Sequence, residues 1–263
     1  MSTSTKWREI YNKIMSLPSL TPSDQVNEAI DSLRQQISQS NDDDLNKSDL
    51  TEQEIIQLRQ RFSQSVYELE KFWAHKILNH SNHQLILEQF PQWDNYLKVM
   101  KREWNSIEIY AKEFLTKKVL IIGGGPIPLS AIILAQQYHI CSVVMDIDEE
   151  ATDLARKLVF ALGLQNQITL IQSSGESFEN YQEYSLIYVA ALAGLVFEEK
   201  QKIFDTIKSQ TTPGTFILTR SSHGTRQILY LPLDQRIQKQ FETVMEIHPN
   251  DEVMNSIILL KTL

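Results

Sequence analysis

The chain has 263 residues, 42% of them hydrophobic and 22% charged, with a formal net charge of −8. Length alone admits one large domain or two small ones, and the acidic balance argues against nucleic acid as the main partner, because backbone binding needs a basic surface. A single cysteine excludes internal disulfides and a Cys-rich zinc site. The first ~115 residues read as helical. Trp7 to Leu17 is a short amphipathic helix closed by Pro18. Thr21-Pro22-Ser23-Asp24 starts another, with Thr21 as N-cap, Pro22 in the first helical position and Asp24 complementing the N-terminal dipole. The segment from Asn41 to Ser48 is a polar loop, and Thr51-Glu-Gln-Glu54 is a capping box that opens a long helix. That helix carries Leu58, Phe62, Val66, Leu69, Trp73 and Ile77 on one apolar face. A further helix follows Pro91.

From Lys118 strands and helices alternate. The strands are Val119–Ile122, Ser142–Asp146, Ile168–Gln172, Leu186–Ala190 and Phe216–Thr219. Helices run from the first glycine cluster through Gln137, over Glu149–Leu162 with Gly163 as C-terminal cap, and over Glu198–Ser209. Two final strands, about Phe241–His248 and Met254–Lys261, read as a hairpin. The expected fold is α/β: a class I methyltransferase-like Rossmann domain over 116–263, its mostly parallel sheet ending in an antiparallel C-terminal edge strand. An all-helical N-terminal domain, 1–115, precedes it as a lid that contributes to the site. Cys141, opening an apolar strand, reads as a core residue rather than a nucleophile. Met1 to Ile10 has no apolar signal core, and no apolar run approaches the ~18 residues of a membrane span. The expectation is a soluble cytoplasmic protein with small-molecule substrates and no membrane or nucleic-acid partner. A homo-oligomer is an open expectation.

The richest stretch is Lys118-Val-Leu-Ile-Ile-Gly-Gly-Gly-Pro-Ile-Pro-Leu-Ser130. A buried strand breaks at Gly123, Gly124, Gly125 and Pro126 into a helix start, a place where backbone can approach an anionic group closely. Asp146-Ile-Asp148 ends the next strand, about 20 residues on, where an acid holds ribose hydroxyls. A dinucleotide pattern would put its third glycine on Pro128, and no P-loop pattern occurs. What remains is a ligand with one nucleoside, such as S-adenosylmethionine. Ligands in such sheets lie outside the carboxyl ends of the strands. There the chain offers Asp146 for ribose, the Ser174–Glu176 loop for adenine, Ala190 and Ala191, and Arg220.

Glu70 lies four residues beyond Val66 and three before Trp73, which at ~100° per residue puts it on the border of the apolar stripe. Desolvation there raises a carboxyl pKa toward the range of a base near neutral pH; the alternative is a border Glu that reaches water or pairs with Arg or Lys. Tyr96, in the aromatic stretch Phe90-Pro-Gln-Trp-Asp-Asn-Tyr96, needs a partner for its hydroxyl if buried, while Phe90 and Trp93 suit a plug between domains. In Arg220-Ser-Ser-His-Gly-Thr-Arg226, two arginines beyond a strand end can hold substrate carboxylates bidentately; a solvated surface loop is the alternative. His80-Ser-Asn-His83 has metal-like spacing but lacks nearby acids or Cys, so no metal site is expected.

Several of these segments together resemble nicotianamine synthases. They are Gly123-Gly-Gly-Pro-Ile-Pro-Leu129, Asp146-Ile-Asp148, Ala155-Arg-Lys157, Val189-Ala-Ala-Leu192, Arg220-Ser-Ser-His-Gly-Thr-Arg226, Leu229-Tyr230 and His248-Pro-Asn-Asp-Glu-Val-Met-Asn-Ser256. The likeness runs from about Phe90 to Leu260. It implies transfer of the 3-amino-3-carboxypropyl group of S-adenosylmethionine to an amino nitrogen, with release of methylthioadenosine and formation of a small metal chelator. By position it implies Glu70 as catalytic base with Tyr96 assisting. The expected site also has Arg220, Arg226 and Tyr230 as substrate-binding residues, and Gly123 to Pro126, Asp146, Asp148, Ser174, Glu176, Ala190 and Ala191, placed by topology, around the donor. The glycine turn differs from the Gly-Ser-Gly-Pro of plant forms but keeps its Gly and Pro positions. Three other readings stay open: one aminocarboxypropyl addition to an amino acid such as histidine for an opine-type metallophore, a small-molecule methyltransferase, and a non-catalytic sensor.

Overall fold

The computed structural model describes residues 3–41, 44, 48–110, 118–248 and 253–263. Among the described residues α1 (Thr3–Met15), α2 (Asp24–Gln39), α3 (Glu52–Leu78), α4 (His83–Leu87) and α5 (Trp93–Tyr110) come first. Helix α2 begins two residues later than its sequence signal, because Ser23 supplies the cap and accepts from the Val26 N–H. Thr21 is occupied elsewhere, its hydroxyl and its N–H both bonded to Ser19. The Thr51–Glu54 capping box forms with both of its bonds.

Helix α3 joins two cores. Leu58 and Phe62 pack with Trp7, Ile14 and Leu33 in an N-terminal cluster. Ala74 and Ile77, farther along, pack with α5 and one face of the sheet, where Phe90 and Trp93 are also buried. At 27 residues the helix is long enough that its middle, around Val66 to Glu70, spans the gap between them. The helical part therefore shares its core with the sheet. The expected division between 115 and 116 falls in 111–117, outside the described residues.

The second part runs β1 (Lys118–Ile122), α6 (Leu129–Tyr138), β2 (Ser142–Asp146), α7 (Glu149–Ala161), β3 (Ile168–Gln172), β4 (Tyr184–Val189), α8 (Phe197–Gln210), β5 (Phe216–Ser221), α9 (Gln235–Gln238), β6 (Glu242–Ile247) and β7 (Ser256–Lys261). The sheet order is β3-β2-β1-β4-β5-β7-β6. Strands β1 to β5 pair in parallel, and β7 runs antiparallel to both β5 and β6. The C-terminal pair thus forms the expected antiparallel margin; β7 lies one strand in, and β6 closes the edge. Alternation sorts the strands onto two cores. Val119 and Ile121 face α6, while Leu120 and Ile122 face Phe204 and Ile207 of α8. The chain moves outward from β1 to β3, then returns to β4 on the other side of β1. That reversal leaves a crevice above the carboxyl ends of β1 and β4, where ligands of such sheets bind.

Cys141 corrects its expectation. It is exposed rather than in the core, because the ladder begins at Ser142 and leaves the preceding residue at the rim. No described helix is long and apolar enough to cross a membrane.

Candidate active site

The crevice is a cavity of about 310 Å³ with two walls. The sheet wall carries Gly123 to Pro126, Asp146 to Asp148 and Ala190 to Ala193 at strand ends, with Arg220 and Tyr230 beyond β5. The helical wall carries Arg34 of α2, Tyr67 and Glu70 of α3, and Gln92 and Tyr96 around the start of α5.

The glycine turn is tightly held. The N–H groups of Gly123 and Gly124 donate to the Met145 carbonyl at 2.8 and 3.2 Å. Gly125 N–H donates to Asp146 Oδ2 at 2.8 Å. Gly125 has φ +64°, and a Cβ there would lie 2.4 Å from Glu70 Oε2, so the turn needs glycine for its backbone and for the room it leaves the Glu70 carboxylate. Asp146, expected on ribose, lines the cavity and also braces this turn; its Oδ1 accepts from the Asp148 N–H at 3.0 Å. Asp148 caps α7 through the Ala151 N–H and accepts from the Tyr67 hydroxyl at 2.9 Å, tying α7 to α3.

A second compartment, about 540 Å³, meets the first at Gly123, Asp146, Ile147, Leu192 and Ala193. Ser174 and Glu176 line it rather than the first. Ser174 Oγ accepts from the Glu176 N–H, and the Glu176 carboxylate pairs with Lys202 at 3.5 Å. Gly123 and Asp146 therefore lie where the two compartments meet.

On the helical wall Glu70 is buried. Burial is the main reason its pKa is pushed up to about 8; a backbone hydrogen bond from Ile127 opposes that, and the charge of Asp146 adds to it. Burial likewise raises Tyr96 above its ordinary value, with Glu70 adding and Arg220 opposing. Tyr230 is raised by burial and by Glu70, and lowered by Arg34 and Arg220. Its ring meets Phe62 edge-on at 5.6 Å. The two hydroxyls thus lie in the field of the Glu70 carboxylate.

The arginines depart from expectation. Arg220 is buried, with Nε and Nη2 donating to Glu103 at 2.7 and 3.0 Å and Nη2 also donating to Ser130 at 2.9 Å. Burial alone would lower its pKa, but Glu103 outweighs that and the net shift is upward. The fork expected for a substrate carboxylate is therefore given to Glu103, a residue of α5. Arg220 still reaches the cavity, with its guanidinium carbon 5.2 Å from the Tyr96 ring centroid. Arg226 lies in the short turn Gly224–Ile228, outside the cavity lining; its carbonyl accepts from the Leu229 and Tyr230 N–H groups and so shapes the turn that delivers Tyr230. His80 and His83 bond to the carbonyls of Asn82 and Ile77.

Sequence reading missed Glu103, Gln92 and Arg34. For Glu103 a signal existed: Tyr96, Met100, Glu103 and Ile107 recur at helical spacing, so the acid shares the buried face of α5. Arg34 carries no such mark.

The chain matches the family model described as nicotianamine synthase protein over residues 4–263, well beyond the Phe90 to Leu260 span of the sequence likeness. It is similar to nicotianamine synthase of Solanum lycopersicum, 32% identical over 260 residues that cover 97% of this chain and 82% of the relative. Nicotianamine synthase 3 of Arabidopsis thaliana is 31% identical and covers 96% of this chain and 81% of its own length. Among solved structures, a mutant of MtNAS in complex with S-adenosylmethionine superposes with a TM-score of 0.85 at 20% identity, covering 100% of this chain and 98% of that one. MtNAS in complex with MTA and tNA superposes at 0.86 and 21% identity, covering 98% and 97%. The glycine turn, the buried Glu70 and the match over the whole chain agree: this protein belongs to the nicotianamine synthase family.

Proposed function

We propose that this chain transfers the 3-amino-3-carboxypropyl group of S-adenosylmethionine to an amino nitrogen, releases methylthioadenosine and builds nicotianamine. The observation that carries this reading is the buried Glu70 carboxylate, packed against Gly125 of the glycine turn in the first compartment. That site fits a donor with one nucleoside: the larger compartment suits the nucleoside, and the smaller admits the amino-acid arm. MtNAS, which shares this fold, is solved in complex with S-adenosylmethionine and with MTA and tNA, which supports a donor of this kind.

The donor's sulfonium supplies an activated carbon and leaves as a neutral thioether when the amine lone pair displaces it. The protein's task is then orientation and proton removal. Sulfur must face away from the incoming nitrogen, so the arm has to bend across the glycine turn toward the helical wall. The amine must be neutral to attack, and the nitrogen sheds a proton after attack. Glu70 accepts that proton; a carboxyl group pushed up to about 8 is matched to the task near neutral pH. Tyr96 and Tyr230 lie close enough to feel the Glu70 charge and orient the carboxylate or the amine by hydrogen bond. The pair between Arg220 and Glu103 stiffens the contact of α5 with the end of β5, which holds Tyr96 in place.

Mass spectrometry of the purified chain incubated with S-adenosylmethionine tests this. Methylthioadenosine with a nicotianamine mass is the expected result. S-adenosylhomocysteine in its place overturns the reading in favour of methylation. Methylthioadenosine that appears only when histidine is added replaces self-condensation with a single addition.

A further inference from the structure

Two cations are buried outside the cavity, where α3 and the turn after β5 meet the start of α8. Lys200, on the first turn of α8, shares the buried face of Ile203, Phe204 and Ile207 and is only 1% exposed. Its backbone packs on Gly194, where a Cβ would lie 2.8 Å from the Lys200 nitrogen. Its Nζ makes no hydrogen bond. Arg59 of α3, 5% exposed, reaches the same loop: Nη1 donates to the Leu195 carbonyl at 3.3 Å and Nη2 to the Gln227 carbonyl at 2.7 Å. Its Nε is buried without a partner, and so is the Thr225 hydroxyl in the turn Gly224–Ile228.

Neutral carbonyls satisfy two donors of Arg59 but cancel no charge. Among the described residues no carboxylate offsets either cation: burial alone lowers the Arg59 pKa, and burial followed by the Arg59 charge pushes Lys200 down to about 8. Glu199, next to Lys200 in sequence, accepts instead from the Leu195 N–H at 2.8 Å. The helix adds to the imbalance, because a lysine on its first turn meets the positive end of the dipole. Arg220 shows the contrast: it is as deeply buried, yet Glu103 restores its charged form. Two like charges held together without a counter-charge are costly, and an anion between them removes the cost.

We propose that Lys200 and Arg59 hold a small monovalent inorganic anion of the chloride class, buried where α3, α8 and the turn after β5 meet. The unpartnered donors Lys200 Nζ, Arg59 Nε and Thr225 Oγ1 come one from each of these three elements. Nearly complete burial leaves the site no open mouth, which favours a compact ion over an organic phosphate. Neither cation lines the donor compartments, so the site is separate from the one that binds substrate. It does touch that site's frame: Arg59 ties α3, which carries Glu70, to the loop of Ala190 to Leu195 and to the turn that delivers Tyr230. The proposal is independent of the transfer reaction.

Two measurements on the full chain test it. In a crystal soaked in sodium bromide, whose anomalous scattering marks the ion, a peak should lie within about 3.5 Å of Lys200 Nζ and of the Arg59 guanidinium. Bromide bound only elsewhere overturns the proposal. The second measurement compares melting temperatures in sodium chloride and in sodium gluconate at equal ionic strength, gluconate being too large for a closed site. With a dissociation constant of about 10 mM, chloride at about 100 mM multiplies the folded-to-unfolded ratio about elevenfold, which shifts the melting of a chain this long by about 3–5 °C. The shift should appear in the wild-type chain and vanish in Lys200→Met, which removes the charge and keeps an unbranched side chain. A wild-type shift below about 1 °C, or an equal shift in Lys200→Met, overturns the site. If Lys200→Met fails to fold, the bromide position in the wild-type chain decides alone.

Discussion

On the sheet wall of the cavity, Gly123, Gly124, Gly125 and Asp148 are tied by backbone hydrogen bonds to the end of β2, within one strand–turn–helix unit and its neighbour. On the helical wall, Arg34, Glu70 and Tyr96 come from three separate helices, and long-range contacts among helices and sheet set their mutual positions. The sheet wall is a preformed cradle, whereas the helical wall is an assembly that brings charge to it. Substitutions on the first should therefore weaken donor binding, and substitutions on the second should spare binding and remove transfer.

The largest effect falls on the helical wall. Glu70→Gln should lower methylthioadenosine release by about 10²–10⁴-fold while S-adenosylmethionine still binds by calorimetry. Unchanged turnover would break the division of labour. The pH dependence sharpens it. Because the Glu70 pKa is pushed up to about 8, wild-type transfer should climb as pH rises through 8, and the variant should lose that limb. Stability moves the other way. A carboxyl raised above its unfolded value of 4.5 stabilises the fold fully below that value and loses the contribution as pH approaches about 8. Glu70→Gln should therefore melt higher than wild type at pH 9, with the gap closing toward pH 5; a constant gap would mean the carboxyl is not desolvated.

Next in size is Glu103→Ala, which leaves Arg220 buried without its partner. Urea unfolding should show a loss of about 3–5 kcal/mol. A loss below about 1 kcal/mol, the range of exposed pairs, would place the pair in solvent. On the sheet wall, Gly125→Ala forces a side chain into a left-handed backbone, at a cost of about 1–2 kcal/mol, and drives a methyl toward Glu70 Oε2. Donor affinity should fall with it; intact affinity would show that the turn is not the cradle. Smallest is Tyr67→Phe, which removes the hydroxyl bonded to Asp148 and Glu150 where the two walls meet. About 0.5–1.5 kcal/mol of stability should go, with transfer nearly intact. A large fall in transfer would make this contact part of the working site.

How much of this was legible followed from the range of the interactions involved. Strands β2 and β3 occupy the residues that alternation and apolar runs mark, and the Thr51 capping box closes as its spacing requires. Glu70 showed itself as an acid on the margin of an apolar stripe, but periodicity could not tell a buried carboxyl from one reaching water. The glycine turn in the cavity decides it, because Gly125 and Glu70 meet across 55 positions of sequence. The two arginines of the Arg220 to Arg226 segment looked alike in sequence. One is buried against Glu103, 117 positions away, and the other lies outside the cavity lining.

The sequence by itself determined the α/β order, the strand–turn–helix around the glycine cluster, the acid at the end of β2 and the helical composition of the first part. Each of these rests on contacts within a few residues or on a repeating period, which a linear pattern records. Only the tertiary structure decided that Arg220 is claimed by Glu103, that Arg34 lines the cavity while Arg226 lies outside it, that Cys141 is at the rim, and that Ser174 and Glu176 belong to a separate compartment. Those outcomes depend on which groups compete for the same charge or space once α2, α3 and α5 are laid against the sheet, and no local pattern encodes that competition.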